Sequence, residues 1–251
     1  MAAERVNPPG NKSVISIHHN SYLDRIMGNS KVKFVEFLRT SPPETRGMRA
    51  RVLLAPGSMA AMDTPFLSTL SICLAARELD VARFEFDYMA ARRSGGKRRP
   101  PPRAEALCPE YLNAVGAFKS QEHEPVPLFI GGKSLGGRVA TMVAPQLFAE
   151  GAINGVFCLG YPFHPPGRPE KLRIAHLRNF DCPMLIVQGD RDPLGTRKEL
   201  DGYGIEPRIE VKWCQDGDHD LKPRKRSGHT HEGHIAAAAD AIAAFVQNCI
   251  V

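Results

Sequence analysis

The chain has 251 residues, of which 43% are hydrophobic and 24% are charged, so it can bury a sizeable core and is not globally disordered. Six dispersed cysteines without a C-x-x-C pair argue against a disulfide framework and against a cysteine-based zinc site. The formal net charge of +6 is concentrated near residues 92–103 and 222–226, which makes it a local feature of the surface.

The ends of the chain carry no signal for secretion or membrane insertion. Residues 1–30 are mostly polar and lack the basic-then-apolar block of a signal peptide. The longest apolar stretch, near 235–246, is interrupted by Asp240 and is too short to cross a bilayer. We therefore expect a poorly ordered extension over 1–30, one domain over 31–251, and a cytoplasmic protein without membrane contact.

Short apolar runs that end in turn residues predict the strands of a buried parallel sheet. The first run, 32–38, alternates imperfectly and is expected at a sheet edge. The other predicted strands are 51–55, 81–86, 126–131, 155–159, 184–189 and 209–214. The predicted helices are 65–79, 104–118, 137–149, 196–203 and 232–246. This alternation predicts an α/β fold with an open, mostly parallel sheet covered by helices.

Two long segments without a helix or strand pattern follow predicted strands. Residues 87–103 are rich in Arg, Gly and Pro, and residues 160–169 are rich in Pro and Gly. Loops at the carboxyl ends of parallel strands surround the ligand crevice of such folds. Both segments are therefore candidates for a pocket rim, with ordinary surface loops as an equal alternative.

The run Gly132-Lys133-Ser134-Leu135-Gly136 matches G-x-S-x-G between a predicted strand and a predicted helix. In that context the glycines allow a sharp turn that exposes the serine, as a nucleophile requires. A phosphate-binding loop would need another glycine where Pro127 stands. We therefore predict that Ser134 is the nucleophile of a serine hydrolase.

The other two members of a catalytic triad should follow the serine in the order acid, then histidine. Asp192 lies just after the predicted strand 184–189 and is the predicted acid, with Asp190 as its competitor. His219 follows the last predicted strand and is the predicted base that takes the Ser134 proton. Its neighbouring aspartates are expected to be turn and helix-cap residues: Asp216, Asp218 and Asp220.

A tetrahedral intermediate also needs two oxyanion donors. The backbone N–H of Leu135, directly after the nucleophile, is the first predicted donor. The second should come from the loop after an earlier strand, where we assign the backbone N–H of Ser58, with Met59 as the alternative.

With these residues placed, the chain resembles the α/β-hydrolases, in the branch that includes the testis-expressed protein and the hydrolase-like domain of a nonspecific-lethal complex regulatory subunit. The resemblance extends over roughly 32–251 and rests on residues 83–89, 131–138, 160–167 and 188–195. It implies a dienelactone-hydrolase-like core and the triad of Ser134, Asp192 and His219. Pro56-Gly57 stands where that pattern has His-Gly, so Ser58 is the weaker of the two donor assignments.

The basic segment 92–103 has three interpretations. A solvated loop is favoured, and no nucleic-acid partner is expected because no aromatic residue is interleaved to stack on bases. The third interpretation gives Arg92 or Arg93 the recognition of a carboxylate or phosphate on the substrate. His164 is a further candidate for the pocket, with loop packing as its alternative role.

The pattern His229-x-His231-x-x-His234 invites a metal interpretation. At the start of a helix these side chains cannot share one face, so they are expected to be helix-entry residues and no metal is predicted.

Together these observations predict an enzyme that acts on a small-molecule ester, thioester or related acyl substrate through an acyl-serine intermediate. The chemistry requires no metal or organic cofactor. The alternative from another class is a non-catalytic binding or scaffold protein that keeps the same fold.

Overall fold

The structure is a computed structural model that describes residues 34–43, 47–93, 95–97, 99–121 and 125–250. The predicted N-terminal extension, residues 1–30, lies outside the described residues. Within the described ranges, no helix combines the length and the apolar character needed to cross a membrane.

Seven strands of the described chain form one sheet. They are β1 Leu38–Thr40, β2 Ala50–Ala55, β3 Leu79–Arg83, β4 Leu128–Lys133, β5 Gly155–Leu159, β6 Met184–Gly189 and β7 Glu210–Cys214. The order across the sheet is β1-β3-β2-β4-β5-β6-β7, and every neighbouring pair except β1 with β3 is parallel. This mostly parallel sheet confirms the predicted α/β class.

Helices cover both faces of the sheet. Those in the described ranges are α1 Pro65–Ala75, α2 Asp87–Arg93, α3 Ala104–Ser120, α4 Leu135–Ala149, α5 Arg197–Leu200 and α6 His231–Ile250. Helices α1 and α6 pack on one face, whereas α3 and α4 pack on the other. Each face therefore has its own apolar core.

Strand β2 explains why the strands read as nearly continuous apolar runs. All of its residues are buried, and they alternate between the two cores. Val52 and Leu54 pack in the core under α1 and α6, whereas Leu53 and Ala55 pack in the core under α3 and α4. A strand covered on both faces needs apolar side chains at nearly every position, and Arg51 is the buried exception in β2.

Several predicted bounds shift by a few residues, and two predicted segments differ further from the structure. The edge strand forms at Leu38–Thr40, near the end of the predicted 32–38 run, and pairs antiparallel with β3. The predicted irregular segment 87–103 contains α2 in its first part. Tertiary contacts stabilise this short helix, because the Glu110 carboxylate accepts a 2.7 Å hydrogen bond from the Asp87 N–H and Met89 is buried.

Candidate active site

Ser134 occupies a sharp turn between β4 and α4. Its backbone has φ 51° and ψ −114°, which is a rare conformation for a residue with a side chain. A Cβ at Gly132 would lie 2.4 Å from the Ala55 carbonyl oxygen, and one at Gly136 would lie 2.4 Å from that of Pro56. The two glycines therefore let β2 approach the turn closely, and the turn presents the serine at the carboxyl end of the sheet.

Three side chains from separate loops form a continuous hydrogen-bonded chain. Ser134 Oγ lies 2.8 Å from Nε2 of His219, and Nδ1 of His219 lies 2.8 Å from Oδ2 of Asp192. Asp192 is fully buried, and its Oδ1 accepts a 2.8 Å hydrogen bond from the Leu194 N–H. The structure thus brings together the three residues predicted as nucleophile, base and acid.

The competing carboxylate, Asp190, does not take part in this chain of hydrogen bonds. It stands one residue past β6, where its N–H donates to the Cys214 carbonyl at 3.2 Å. The turn Gly189–Asp192, closed by the 3.1 Å bond from the Asp192 N–H to the Gly189 carbonyl, carries the chain back so that Asp192 faces His219.

Gln188 holds the acid in place, a role that no sequence motif indicated. Its Nε2 donates to Asp192 Oδ2 at 2.9 Å, and its Oε1 accepts from the Tyr161 N–H at 2.7 Å. The side chain is fully buried. An amide inside an otherwise apolar strand was the available signal, because a buried amide requires hydrogen-bond partners.

Both predicted oxyanion donors lie beside the nucleophile. Leu135 is the first residue of α4, so its N–H has no partner inside the helix. Ser58 follows β2, the strand next to β4, and a Cβ on its neighbour Gly57 would lie 3.6 Å from Ser134 Cβ. Ser58 lines the cavity next to Ser134, whereas the alternative residue, Met59, is not among the lining residues.

A cavity of about 540 Å³ opens next to Ser134. Its lining comprises Ser58, Pro101, Pro102, Arg103, Ala104, Glu105, Ser134, Leu135, Arg138, Pro162, Pro166, Arg173 and Leu194. Both predicted rim segments contribute, through Pro101 and Pro102 from one and Pro162 and Pro166 from the other. The volume falls in the range of sites for small molecules.

A model of the alpha/beta hydrolase domain family matches residues 48–247. The chain belongs to this family. The narrower branch suggested by the sequence stays a prediction.

Solved structures share the fold of this alpha/beta hydrolase at low sequence identity. An alpha-beta serine hydrolase homologue from Coxiella burnetii is 17% identical, with a TM-score of 0.60 over 85% of this chain and 91% of that one. A dienelactone hydrolase from Anabaena variabilis is 17% identical, with a TM-score of 0.59 over 86% and 92%. Est1E from Butyrivibrio proteoclasticus is 12% identical, with a TM-score of 0.61 over 86% and 94%.

Lys133 of this alpha/beta hydrolase is a second residue near the triad to which no sequence motif gave a role. Its buried ammonium lies 3.1 Å from Oδ1 of Asp220, the residue after His219. Burial acts to raise the pKa of Asp220, but the charge and hydrogen bond of Lys133, together with His219 and His231, lower it more, so the pKa lies below its usual value. A lysine at the end of an apolar strand was the signal.

Arg92 and Arg93 do not line the cavity, contrary to the interpretation that gave them a substrate group. Arg93 Nε lies 2.8 Å from Glu85 Oε2, and its Nη2 lies 3.0 Å from Asp63 Oδ1. The hydrogen bond to Glu85, and to a smaller extent the one to Asp63, raises the pKa of Arg93. Arg92 Nη1 instead contacts the sulfur of Met89 at 3.3 Å.

His164 is buried and also lies outside the cavity lining. Its Nδ1 lies 2.9 Å from the Pro165 carbonyl oxygen, and its Nε2 lies 3.5 Å from Glu199 Oε1. These contacts fit the alternative role in loop packing. The structure instead brings Arg103, Arg138 and Arg173 to the cavity. Arg103 ends a predicted rim segment, but the sequence could not indicate that the three arginines meet, because they come from separate segments.

The histidines near the start of α6 bind the loop before it. His231 Nε2 lies 2.9 Å from the Asp220 carbonyl oxygen, and His234 Nδ1 lies 2.7 Å from that of Leu221. Across the described parts of the chain, no group of three or more His, Cys, Asp and Glu residues is arranged to hold a metal ion.

The aspartates around His219 shape its loop. Oδ1 of Asp218 accepts hydrogen bonds from the N–H groups of Asp220 and Lys222, each at 2.9 Å. Asp216 accepts a 2.7 Å bond from the Arg224 N–H. These contacts fit the turn roles expected for Asp216 and Asp218, whereas Asp220 additionally pairs with Lys133.

Proposed function

We propose that this alpha/beta hydrolase is a serine hydrolase that cleaves a small-molecule ester, thioester or related acyl substrate through an acyl-serine intermediate. The observation that carries the proposal is the pair of 2.8 Å contacts that join Ser134 to His219 and His219 to Asp192. Nucleophile, base and orienting acid stand in hydrogen-bond reach of one another, as acyl transfer requires. The cavity of about 540 Å³ beside the serine leaves room for a small acyl substrate.

In this mechanism His219 Nε2 takes the hydroxyl proton while Ser134 Oγ attacks the carbonyl carbon of the substrate. Asp192 Oδ2 accepts a hydrogen bond from the Nδ1–H of His219 and so keeps the imidazole in the tautomer whose Nε2 is free to act as base. The N–H groups of Leu135 and Ser58 donate to the oxyanion of the tetrahedral intermediate. His219 then protonates the leaving alcohol or thiol, and the acyl group stays on Ser134.

Deacylation repeats the same steps with water. His219 Nε2 takes a proton from water, the resulting hydroxide adds to the acyl carbon, and the bond to Ser134 Oγ breaks as His219 returns the proton to it. The products are a carboxylic acid and the regenerated serine, so the cycle needs no external co-reactant other than water.

The test combines labelling and turnover. Wild-type protein should react with a fluorophosphonate probe at Ser134 and hydrolyse p-nitrophenyl acetate. Ser134→Ala should abolish labelling, and kcat/KM should fall by about 10⁴-fold or more in Ser134→Ala and in His219→Gln. Ser120→Ala, which removes an exposed serine at the end of α3, is the matched control and should behave as wild type.

Folded wild-type protein that neither takes the probe at Ser134 nor hydrolyses any ester of a short-chain panel would contradict the proposal. That result would favour the non-catalytic alternative. Asp192→Asn should lower kcat by about 10⁴-fold because it allows the wrong imidazole tautomer, whereas Asp190→Asn should have a much smaller effect.

A further inference from the structure

The cavity beside Ser134 carries an excess of positive charge. Its lining contains three arginines, Arg103, Arg138 and Arg173, and a single carboxylate, Glu105. The N-terminus of α4 also points its free N–H groups towards this region, since Leu135 is both the first residue of that helix and a lining residue. These charges would attract an anionic group of a ligand, whereas they offer no such attraction to a neutral one.

Arg138 lies in the first turn of α4, where the helix dipole disfavours a cation. Its side chain is only 14% exposed, and its guanidinium donates to Glu105 Oε1 at 2.9 Å. The Nε atom is buried without a hydrogen-bond partner among the described residues. A buried donor left unpaired is costly, so Arg138 retains hydrogen-bonding capacity that Glu105 does not satisfy.

Arg173 is held at the cavity wall by its backbone. Its N–H donates to the Phe163 carbonyl at 2.7 Å, and its carbonyl accepts from the Tyr161 hydroxyl at 2.8 Å. In the described chain, its guanidinium forms no ion pair with a carboxylate. Burial lowers the pKa of Arg173, and the positive charge of Arg138, which lines the same cavity, lowers it further.

Two cations that share a cavity repel each other, and a bound anion offsets this repulsion; the lining carboxylate, Glu105, pairs with Arg138 alone among the three arginines of the lining. Guanidinium groups bind carboxylate and phosphate through short, often bidentate, charge-assisted hydrogen bonds. Because Ser134 lines the same cavity, a bound anion would belong to the molecule whose carbonyl the serine attacks.

We propose that Arg173 and Arg138 bind an anionic group of the substrate, a carboxylate or a phosphate, so that the enzyme prefers acyl esters that carry such a group. This proposal rests on the serine hydrolase function proposed above. It moves substrate recognition from Arg92 and Arg93 to arginines on the loop after β5 and on the helix after the nucleophile.

The experiment compares matched anionic and neutral esters. Mono-p-nitrophenyl adipate against p-nitrophenyl heptanoate places the carboxylate on the acyl side. Two further pairs place the anion on the alcohol side, and both use methyl p-acetoxybenzoate as the neutral ester. The anionic ester is p-acetoxybenzoate in the pair that tests a carboxylate and p-acetoxyphenyl phosphate in the pair that tests a phosphate. In at least one pair, wild-type kcat/KM should favour the anionic ester. Arg173→Gln should lower this preference by about ten- to a hundredfold while kcat/KM for the neutral ester stays within about twofold.

Two further variants sharpen the assignment. Arg173→Lys keeps the charge but loses the planar fork, so it should recover part of the preference. Arg178→Gln removes an exposed arginine of the same segment that does not line the cavity, and it should retain the wild-type preference. Arg138→Gln should also reduce the preference.

Failure of this inference differs from failure of the proposed function. If Ser134 is labelled and both members of every pair are hydrolysed equally well by wild type and by Arg173→Gln, the anionic preference is wrong and the hydrolase stands. If no ester is hydrolysed, calorimetry on Ser134→Ala still tests the cavity. Binding of adipate or inorganic phosphate that is lost in Ser134→Ala/Arg173→Gln supports the anion site, and absence of binding by both anions overturns it.

Discussion

The ammonium of Lys133 lies 3.1 Å from Oδ1 of Asp220 and joins the strand that leads into Ser134 to the loop that carries His219. The lysine side chain is 9% exposed and the aspartate side chain is 69% exposed, so the cation is buried and its partner is at the surface. Because Asp220 directly follows His219, we expect this ion pair to limit the movement of the imidazole. We therefore assign Lys133 and Asp220 as positioning residues.

Asp220→Asn should lower kcat by about tenfold with little change in KM, since loss of the ion pair costs about 1 kcal/mol and loosens the His219 loop. The fluorophosphonate labelling rate of Ser134, measured well below the unfolding temperature, should fall in parallel. The matched control is Asp181→Asn, because the ion pair between Asp181 and Arg208 is exposed on both sides. Equal kcat values for Asp220→Asn and wild type would refute the positioning role.

The backbone conformation of Ser134 should cost stability that glycine can recover. With φ at 51°, a residue with a Cβ is strained, so Ser134→Gly should be about 1 kcal/mol more stable than Ser134→Ala. Ser120 ends α3 in helical conformation, so there Ser120→Ala should instead be more stable than Ser120→Gly. Urea denaturation of the four variants measures both differences, and the same order at both positions would argue against strain at Ser134.

Arg93 is expected to contribute to stability and not to substrate preference. Arg93→Met removes the partner of Glu85, whose side chain is 3% exposed, and should lower the free energy of unfolding by about 2 kcal/mol. The ratio of kcat/KM for anionic over neutral esters should equal that of wild type. Arg92→Met is the control and should change neither quantity. A changed ester ratio in Arg93→Met would restore Arg93 as a candidate substrate ligand.

His176 should make folding sensitive to mild acid. Burial first, and the charge of Arg138 second, lower the pKa of His176 from 6.5 to about 4. Since the unfolded chain binds the proton more readily, the stability contributed by neutral His176 is complete above pH 6.5 and declines as the pH falls towards 4.

The loss of unfolding free energy between pH 7 and pH 4.5 should therefore be smaller in His176→Gln than in wild type. Glutamine can retain the contact with Thr141 Oγ1, which lies 3.0 Å from His176 Nε2, and it does not titrate. His229→Gln, which replaces an exposed histidine, is the control and should follow the wild-type pH dependence. Identical losses in wild type and His176→Gln would show that another group controls the acid sensitivity.

The sequence by itself determined the class of fold and the region of the candidate site. Strands such as β2 and β5 are apolar at nearly every position because helices cover both faces of the sheet. A short run of apolar residues is therefore enough to predict such a buried strand. The turn around Ser134 is equally local, because its close contacts require glycine at fixed positions. The expected order of nucleophile, acid and histidine along the chain was enough to select Ser134, Asp192 and His219 as candidates.

Tertiary structure decided which of the candidate side chains meet. Asp192 rather than Asp190 contacts His219 because the turn after β6 sets the direction of each carboxylate. Arg93 forms an ion pair with Glu85, whereas Arg138 and Arg173 line the same cavity although one lies in α4 and the other in the loop after β5. Periodicity and turn residues encode burial and local direction, but the approach of distant side chains depends on the path of the whole backbone, which no short pattern contains.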